Sequence, residues 1–478
     1  MVAYIDDHRY SDSSLDRYPS MKGPVMSELP VSELPVVVVG AGPIGLAAAA
    51  HLRERGLEPL VLERGNLAGA AIAQWHNVRT FSRWAELIDP AARRLLDTTG
   101  WTAPDDDAYP TGQDWTGQYL TPLADALGDA VRLDHEVVGI ARRGRDRIVD
   151  AGRDTEPLSV HIRHRDGTET RLLARAVLDA SGTWATPNPL GGEGLPALGE
   201  RAAAETITYR VPDLDDDAVR TRYAGRHTVI AGSGHSALNA IVALAELTRT
   251  APGTRLTWAV RRGEIGAAFG GGQDDQLPAR GALGLRAKKA VDDGLLTVVT
   301  GFRTAAVEPT TDGQIALVSD TGARIEAVDE IIASTGFRPD LSWLSEIRLD
   351  LDPVLQAPTA LAPLIDPNVH SCGTVYPHGA AELTHPEPGF YVVGMKSYGR
   401  APTFLAMTGY EQVRSIAAAL AGDHDAATRV ELTLPETGVC GGAGVFDDPA
   451  ADTATEAAAG GCCGAPEPQL VTLSRTGG

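Results

Sequence analysis

The stretch PVVVVGAGPIGLAAAAHLRERGLEPLVLERG, residues 35–65, decides the fold of this chain. Residues 36–39 are an unbroken run of valine, as a parallel strand buried on both faces requires. Gly40, Gly42 and Gly45 follow at once in the spacing G-x-G-x-x-G. The first glycine permits a tight turn, the second lets a pyrophosphate approach the backbone, and the third allows a helix to pack closely on the strand. The stretch therefore predicts a nucleotide-binding strand–turn–helix unit.

The residues after this turn indicate which nucleotide is bound. Residues 43–55 predict a helix that begins at Pro43 and directs the positive end of its dipole at the phosphates. The next strand, EPLVLE, ends at Glu63, where a carboxylate accepts hydrogen bonds from both ribose hydroxyls and disfavours a 2′-phosphate. Arg64, next in the chain, is assigned to the same site. The expected ligand is a dinucleotide with a free 2′-hydroxyl, either FAD or NAD.

The same pattern returns in GRHTVIAGSGHSALNAIVALAEL, residues 225–247. Residues 228–231 predict the strand and Gly232 and Gly234 the turn. Ala237 takes the third position, where a small residue commonly replaces glycine. This second unit predicts a second dinucleotide site in the same chain.

The strand that follows the second turn ends in two arginines instead of an acid. RLTWAV is followed directly by Arg261 and Arg262, at the position where the ribose 2′ group is expected. Two guanidinium groups there can hold a phosphate bidentately, which favours NADPH over NADH. A solvated strand end would also explain the two arginines.

Two further segments bracket the second unit. RAVLDASGTWATPNP (175–189) and DEIIASTGFRPDL (329–341) are each an apolar strand running into a turn of small residues that contains Gly182 or Gly336. We interpret them as the places where the chain leaves the first domain and returns to it. The expected fold is α/β, with two nested Rossmann-like dinucleotide-binding domains in which an FAD domain is interrupted by an NADPH domain.

This interpretation divides the chain into five parts. The expected boundaries are a disordered N-terminal extension at 1–34, the first part of the FAD domain at 35–190, the NADPH domain with its linkers at 191–335, the second part of the FAD domain at 336–425, and a flexible cysteine-containing tail at 426–478.

Composition excludes several classes of partner. The chain of 478 residues carries 42 lysines and arginines against 63 acids, a formal charge of −21, which disfavours nucleic acid and anionic membranes as partners. Four cysteines without a dense framework indicate a reducing cytoplasm. The first 34 residues lack the basic and apolar regions of a signal peptide, and Met26 is a second candidate start. The sequence leaves the oligomeric state open and allows a homo-oligomer that acts on a small-molecule substrate.

The motifs GAGPIG…LE, DASGTW, GSGHSA…RR and STGFRPD occur in this order over about residues 35–425. In this the chain resembles the two-dinucleotide flavoproteins, which include class B flavin monooxygenases and small thioredoxin reductases. Within that group, QWHNVRTFSRW (74–84) and GMKSYGRAPTFLAMTGYEQVRSI (394–416) are most similar to the flavin-binding monooxygenases associated with arsenic-resistance gene clusters.

The resemblance implies FAD on the first motif, NADPH on the second and hydride transfer to flavin N5. In monooxygenases O₂ then adds at C4a, and the hydroperoxyflavin passes oxygen to a soft nucleophile. By this resemblance Gln74 and Trp75 lie against FAD, and Arg79 is the candidate catalytic residue near the flavin or substrate. Interdomain packing is the alternative role for Trp75 and Trp84. The last FAD segment is strand 390–394, with Gly394, and a helix from near Thr408 that stabilises the anionic reduced flavin.

The chain also departs from its resemblances. Residues 198–223 lack the F-x-G-x-x-x-H-x-x-x-Y/F stretch usual in such monooxygenases, which puts oxygenation in doubt. Gly394 is followed by Met395 instead of the aspartate of many disulfide reductases, and no C-x-x-C is present. Cys372 stands alone in the folded part and is expected to be a small buried residue. We interpret His370, His378 and His385 as incidental residues of a loop.

The other three cysteines lie in the tail. Cys440, Cys462 and Cys463 stand among glycines and alanines in a segment with few core-forming residues. Adjacent cysteines form only a strained disulfide, whereas they can share one soft, thiophilic centre such as As(III) or Hg(II). Paired cysteines also occur in the tails of mercuric reductases, where the resemblance implies metal hand-off. Incidental thiols in an unstructured tail are the alternative.

Three functions follow as expectations. The first is an NADPH-dependent FAD monooxygenase acting on a small soft nucleophile, with a trivalent arsenical as the candidate. The second is an FAD/NADPH reductase of a thiol-bound or arsenical acceptor. The third is a non-enzymatic flavoprotein whose tail captures thiophiles.

Overall fold

The structure is a computed structural model that describes residues 30–275, 277–310, 313–368, 377–402 and 404–432. Up to residue 179 the chain forms the strands and helices β1 Val36–Val39, α1 Pro43–Glu54, β2 Pro59–Leu62, α2 Ala70–Ala73, α3 Trp84–Leu87, α4 Pro90–Asp97, α5 Gly112–Trp115, α6 Thr121–Leu127, β3 Val131–Arg132, β4 His135–Arg142, β5 Leu158–His164, β6 Glu169–Ala174 and β7 Ala176–Asp179.

The middle of the chain forms a second set of elements. These are β8 Ile207–Thr208, α7 Asp217–Tyr223, β9 His227–Ala231, α8 His235–Thr250, β10 Arg255–Ala259, α9 Pro278–Asp292, β11 Thr297–Val299, β12 Thr304–Pro309, β13 Ile315–Ser319, β14 Arg324–Val328 and β15 Glu330–Ala333. The remaining described residues form α10 Ala362–Ile365, β16 Phe390–Val392, a 3₁₀ helix Gly394–Tyr398, α11 Ala406–Leu420 and α12 His424–Thr428.

Two parallel five-stranded sheets organise these elements. The first has the order β16-β7-β1-β2-β3 and the second the order β11-β10-β9-β15-β8. Two antiparallel three-stranded meanders, β4-β5-β6 and β12-β13-β14, accompany them. Strand β16 belongs to the first sheet but comes after every strand of the second sheet in the chain. The chain therefore leaves the first domain, forms the second and returns to the first. The expected nested α/β fold is confirmed.

The strands that precede the two glycine turns, β1 and β9, lie in the middle of their sheets, where a strand is buried on both faces. β1 is completely apolar, all four of its residues are buried, and it pairs with β2 on one side and β7 on the other. β9 is buried in the same way between β10 and β15. Because the carboxyl ends of parallel strands meet at one edge of a sheet, each glycine turn lies where an open α/β sheet binds its ligand.

The described residues reach a short way into both of the expected terminal extensions. Val31–Glu33 forms a 3₁₀ turn and Leu34 is buried, because the chain here already adjoins the first sheet. At the other end α12 runs past residue 425, and Arg414 and Ser415 of α11 donate hydrogen bonds to the carbonyls of Ala426 and Ala427. The rest of both extensions lies outside the described residues, and the exact domain boundaries stay predictions.

None of the helices in the described ranges combines the length and apolar character that a membrane crossing needs.

Candidate functional site

The first glycine turn separates glycines that pack from a glycine that faces open space. Gly40 has a φ of 100°, and a Cβ there would lie 2.9 Å from the carbonyl oxygen of Ala180. A Cβ on Gly45 would lie 1.9 Å from the carbonyl oxygen of Gly40. On Gly42, by contrast, a Cβ would meet nothing within 4 Å. Gly40 and Gly45 therefore allow close packing around the turn, whereas Gly42 leaves its backbone open to a phosphate, as the motif requires.

Glu63 supports this turn from the end of β2. Its Oε2 accepts a hydrogen bond from the backbone N–H of Ala41 at 2.8 Å, and its Oε1 accepts one from Gly65 at 2.8 Å. A carboxylate offers about four lone-pair directions, so two backbone bonds leave capacity for ribose hydroxyls. Arg64 is exposed beside it. The ribose contact itself stays a prediction.

The N-terminal ends of two helices converge on the carboxyl edge of the first sheet. Gly394, with a φ of 69°, packs on Ile44 of α1, since a Cβ there would lie 3.2 Å from the Ile44 side chain. Gly409 in the first turn of α11 packs on the same side chain, where a Cβ would lie 2.5 Å from Ile44 Cδ1. Helix α11 begins at Ala406, two residues before the expected start. Two positive helix ends therefore face one edge of the sheet.

These features fit FAD. Gly42 and Gly182 each leave open space where a Cβ would stand, and Gly182 has a φ of 68°. The α1 N-terminus would hold the pyrophosphate, Glu63 the ribose and the α11 N-terminus the flavin end. Bound there, FAD would supply the capacity to accept a hydride and pass on electrons.

The second glycine turn has the same construction. Gly232 has a φ of 121°, and a Cβ there would lie 2.2 Å from the carbonyl oxygen of Ser334. On Gly234 a Cβ would meet nothing within 4 Å. Ala237 is completely buried at the third position, and Trp258 Nε1 donates to the Gly232 carbonyl at 2.7 Å. The second turn is therefore also closed by packing at its first glycine and open at its second.

Arg261 and Arg262 come one residue after the end of β10, beside this second turn. Arg261 is exposed and Arg262 is half-buried, with its carbonyl accepting a hydrogen bond from Gly301 N–H at 2.7 Å. Because β10 pairs with β9, its carboxyl end adjoins the glycine turn. The structure thus places the two arginine residues just after the end of the strand that adjoins the second glycine turn. Their phosphate contact stays a prediction.

The exit and return segments lie against each other between the two sheets. The N–H of Asn188 donates to the Gly336 carbonyl at 2.9 Å, and Thr335 Oγ1 donates to the Asn188 carbonyl at 2.6 Å. The rings of Trp184 and Phe337 lie 4.7 Å apart. Gly336 has a φ of 84°, which explains a glycine at this crossing. The two turns that the sequence paired by position are therefore also paired by hydrogen bonds.

Residues of the 74–84 segment reach the second domain, although not the residues that the sequence singled out. His76 Nε2 lies 2.9 Å from Asp213 Oδ2. The ring of Phe81 packs edge-on against His235, the first residue of α8, at 5.0 Å. Neither contact could be predicted from spacing, because the partners are far apart in the sequence.

The residues that were singled out in this segment contact other residues of the first domain. Gln74 Oε1 accepts a hydrogen bond from Trp184 Nε1 at 2.9 Å. The Trp75 ring lies 6.4 Å from that of Trp115, and Trp84 is buried in the core of the first domain. Both tryptophans therefore pack within the first domain and not between domains, and the contacts of Gln74 and Trp75 with FAD stay predictions. Arg79 is exposed and donates to the carbonyl of Tyr109, and its catalytic role stays a prediction.

Sequence reasoning missed a buried charge next to Gly394. Lys396 lies in the 3₁₀ helix after β16, and its Nζ is 2.7 Å from Oδ2 of Asp179, the last residue of β7. A lysine in a loop is ordinarily solvated, so only the structure identifies this pair.

The described residues contain no group of three or more metal-ligating side chains. His378 Nε2 and Gln412 Nε2 lie 2.8 Å apart. His385 Nδ1 accepts a hydrogen bond from Asp350 N–H, and burial lowers the pKa of His385 to about 4, which fits a structural role. His370, Cys372 and the proposed ligands Cys440, Cys462 and Cys463 lie outside the described residues.

Comparisons with known proteins agree with this geometry. Residues 37–156 match the sequence model of the pyridine nucleotide-disulphide oxidoreductase family. Over 319 residues the chain is 23% identical to a ferredoxin–NADP reductase of Ignicoccus hospitalis, covering 66% of this chain and 81% of that one.

Solved structures share this fold over about four fifths of the chain. The bacillithiol disulfide reductase of Bacillus cereus has a TM-score of 0.59 at 18% identity, covering 81% of this chain and 99% of that one. A double mutant of the flavin monooxygenase from Stenotrophomonas maltophilia has a TM-score of 0.52 at 22% identity, covering 81% and 98%. The comparisons therefore agree with the expected NAD(P)H-dependent flavoprotein oxidoreductase, and reductases and monooxygenases both have this fold.

Proposed function

We propose that this protein is an FAD- and NADPH-dependent monooxygenase that oxygenates a small soft nucleophile, with a trivalent arsenical as the candidate substrate. One observation carries the two-cofactor part of the proposal. Two parallel sheets each present, at the carboxyl edge, a turn with one glycine closed by packing and one open to a phosphate. An acid follows the first turn, and two arginines follow the second.

The residues of this chain would divide the work as follows. Glu63 would accept the ribose hydroxyls of FAD, and Arg261 with Arg262 would hold the 2′-phosphate of NADPH. The α11 N-terminus would stabilise negative charge on the reduced flavin. FAD would supply the redox chemistry, while the protein orients it and keeps water away. Arg79 is the candidate catalytic residue near the flavin or the substrate.

A reductase of a thiol-bound or arsenical acceptor is the second candidate. The observation that favours it is the missing hydroxylase stretch in residues 198–223. In its place, Tyr209 donates to Glu200 Oε1 at 2.6 Å, and the same buried carboxylate accepts the N–H groups of Leu190 and Ala197. Glu200 and Tyr209 of this segment therefore stabilise the local fold through hydrogen bonds. Against a disulfide reductase stands the absence of C-x-x-C from the sequence.

Rapid mixing with oxygen separates the two candidates. We expect NADPH-reduced protein, mixed with O₂ while NADP⁺ is bound, to give a transient absorbance on the blue side of the oxidised flavin band. A species that decays faster when arsenite is added would support oxygenation of the arsenical. Direct return to oxidised flavin with one hydrogen peroxide per NADPH, under every condition, would contradict the monooxygenase and leave the reductase. A protein that never oxidises NADPH would support the non-enzymatic alternative.

The tail cysteines form the substrate-capture part of the proposal. Cys440, Cys462 and Cys463 supply the three soft thiolates that a trivalent arsenical takes, and closing a loop between the first and the other two costs little more as its length grows. We expect the reduced full-length protein to bind one arsenite tightly. A Cys462→Ser, Cys463→Ser variant should lose this site, whereas the matched control Cys372→Ser should keep it. Unchanged arsenite binding and turnover in the double variant would remove the tail from the proposal.

A further inference from the structure

Lys396 is a lysine with almost no access to solvent. Its side chain is 1% exposed, and that of its partner Asp179 is completely buried. The ammonium lies 2.7 Å from Asp179 Oδ2 and donates to Ser181 Oγ at 3.1 Å. Taking a charge out of water is expensive unless it is paired, so a buried lysine at this place needs an explanation.

The partners of Lys396 belong to the turn that follows β7. Asp179 Oδ1 accepts the hydroxyl of Ser181 at 2.6 Å and its backbone N–H at 3.1 Å. Between them, Ala180 donates its N–H to the Val39 carbonyl at 3.0 Å. The Ala180 carbonyl is the atom against which Gly40 packs. The turn therefore lies directly on the first glycine of the FAD motif and continues into Gly182.

The third side of the ammonium faces an aromatic ring. Lys396 Nζ lies 4.5 Å from the ring centroid of Trp343, within the range of a cation–π contact. The ammonium is therefore ion-paired with the Asp179 carboxylate, donates to the Ser181 hydroxyl and lies against the Trp343 ring. Lys396 is thus placed to hold protein groups in position, not to exchange a proton with a ligand.

These groups come from the two separate parts of the first domain. Asp179 and Ser181 precede the inserted second domain, whereas Trp343 and Lys396 follow it, and Lys396 and Ser181 are 215 residues apart in the chain. Lys396 also follows Gly394, which packs on the first turn of α1. The Lys396–Asp179 pair therefore forms where the chain that returns from the second domain packs against the first glycine turn.

We propose that the Lys396–Asp179 pair positions the Asp179–Gly182 turn for FAD, so that FAD affinity depends on the pair beyond its contribution to folding. This inference rests on the proposed FAD site. Without the ammonium, the Asp179 carboxylate would be left buried and unpaired, and the turn would move to expose it to water. The backbone at Gly182 would then be displaced from the position in which FAD can pack against it.

A second buried pair provides a matched control. Arg142 Nη2 lies 2.7 Å from Glu387 Oε1, and this pair also joins the chain before the inserted domain to the chain after it. Glu387 precedes β16, whereas Lys396 follows it. The control pair thus adjoins the amino end of the same strand and is away from the glycine turns at the carboxyl edge.

The test measures FAD binding to full-length apoprotein by quenching of flavin fluorescence, with apoprotein stability measured in parallel. We expect Lys396→Met to weaken FAD binding at least tenfold, and Arg142→Met to leave it within about threefold despite a comparable loss of stability. Lys396→Arg, which keeps the charge, should recover part of the affinity. Wild-type affinity in Lys396→Met, or equal weakening in both methionine variants, would overturn the inference.

A milder variant keeps the test decisive if Lys396→Met does not fold. Ser181→Ala removes one partner of the ammonium without leaving a buried charge unpaired, and should weaken FAD binding about threefold or more. Unchanged affinity in that variant would count against the inference. If the wild-type chain binds no FAD, the proposed function itself fails. If the wild type binds FAD and the variants bind it equally well, only the positioning role fails.

Discussion

Replacing Glu387 with alanine should lower the free energy of unfolding by about 3–5 kcal/mol, the usual effect of removing one partner from a buried ion pair. Glu387 is completely buried and paired on both oxygens. Its Oε1 accepts Arg142 Nε and Nη2 at 2.9 and 2.7 Å. Its Oε2 accepts Arg153 Nε and Nη2 at 3.1 and 2.7 Å. Urea unfolding of the full-length chain would measure the change.

The large effect follows from what the substitution leaves behind. The side chains of Arg142 and Arg153 are 3% and 4% exposed, so without Glu387 two guanidinium groups would be buried without their carboxylate. Both arginines lie more than 230 residues from Glu387 in the chain, at separations of 245 and 234. The cluster therefore ties the two parts of the first domain together.

An exposed pair in the same meander is the control. Arg163 and Glu136 lie 2.6 Å apart with side chains 49% and 40% exposed, so Glu136→Ala should change stability by no more than about 1 kcal/mol. An effect of Glu387→Ala as small as that of Glu136→Ala would contradict the prediction.

The pH dependence gives an independent check on Glu387. Burial alone would raise the pKa of its carboxyl, but the hydrogen bonds from Arg153 and Arg142 outweigh burial and hold the pKa below the ordinary 4.5. A lowered folded pKa contributes stability above pH 4.5 that is lost as the pH falls through the folded value. Wild-type stability should therefore decline more steeply below pH 4.5 than that of Glu387→Gln.

Changing Arg261 and Arg262 together to alanine should raise the KM for NADPH at least tenfold and leave that for NADH nearly unchanged. A charge-assisted hydrogen bond to phosphate contributes on the order of 1.5–3 kcal/mol, and about 1.4 kcal/mol corresponds to a factor of ten. The phosphate that these arginines would hold is present only in NADPH. Steady-state oxidation of both nucleotides, at saturating acceptor, would measure the selectivity.

Arg255 is the matched control for this double substitution. It is the exposed first residue of β10, so it lies at the amino end of the strand whose carboxyl end precedes Arg261. Arg255→Ala removes a positive charge from the same strand and should leave both KM values within about twofold. Equal increases for NADPH and NADH in the double variant would refute the assignment of the 2′-phosphate site.

The sequence by itself determined the two dinucleotide units and their nesting. Each unit is contiguous: within residues 35–65, and again within 225–262, the chain carries strand, glycine turn, helix and second strand. Burial on both faces demands an apolar strand, and close approach of backbone to backbone demands glycine. Both demands act on neighbouring residues, so they are visible in the order of the amino acids. The strands lie within a residue or two of the expected ranges.

Only the tertiary structure decided which distant side chains meet. Lys396 with Asp179, Glu387 with two arginines, and His76 with Asp213 all join residues that no local pattern connects. Taken alone, a lysine or glutamate in a loop indicates a solvated charge, because the free energy of burying it depends on partners brought from elsewhere in the chain. Hydrophobic period and glycine spacing are local properties of the chain, whereas the pairing of buried charges is settled when the returning segment packs against the first sheet.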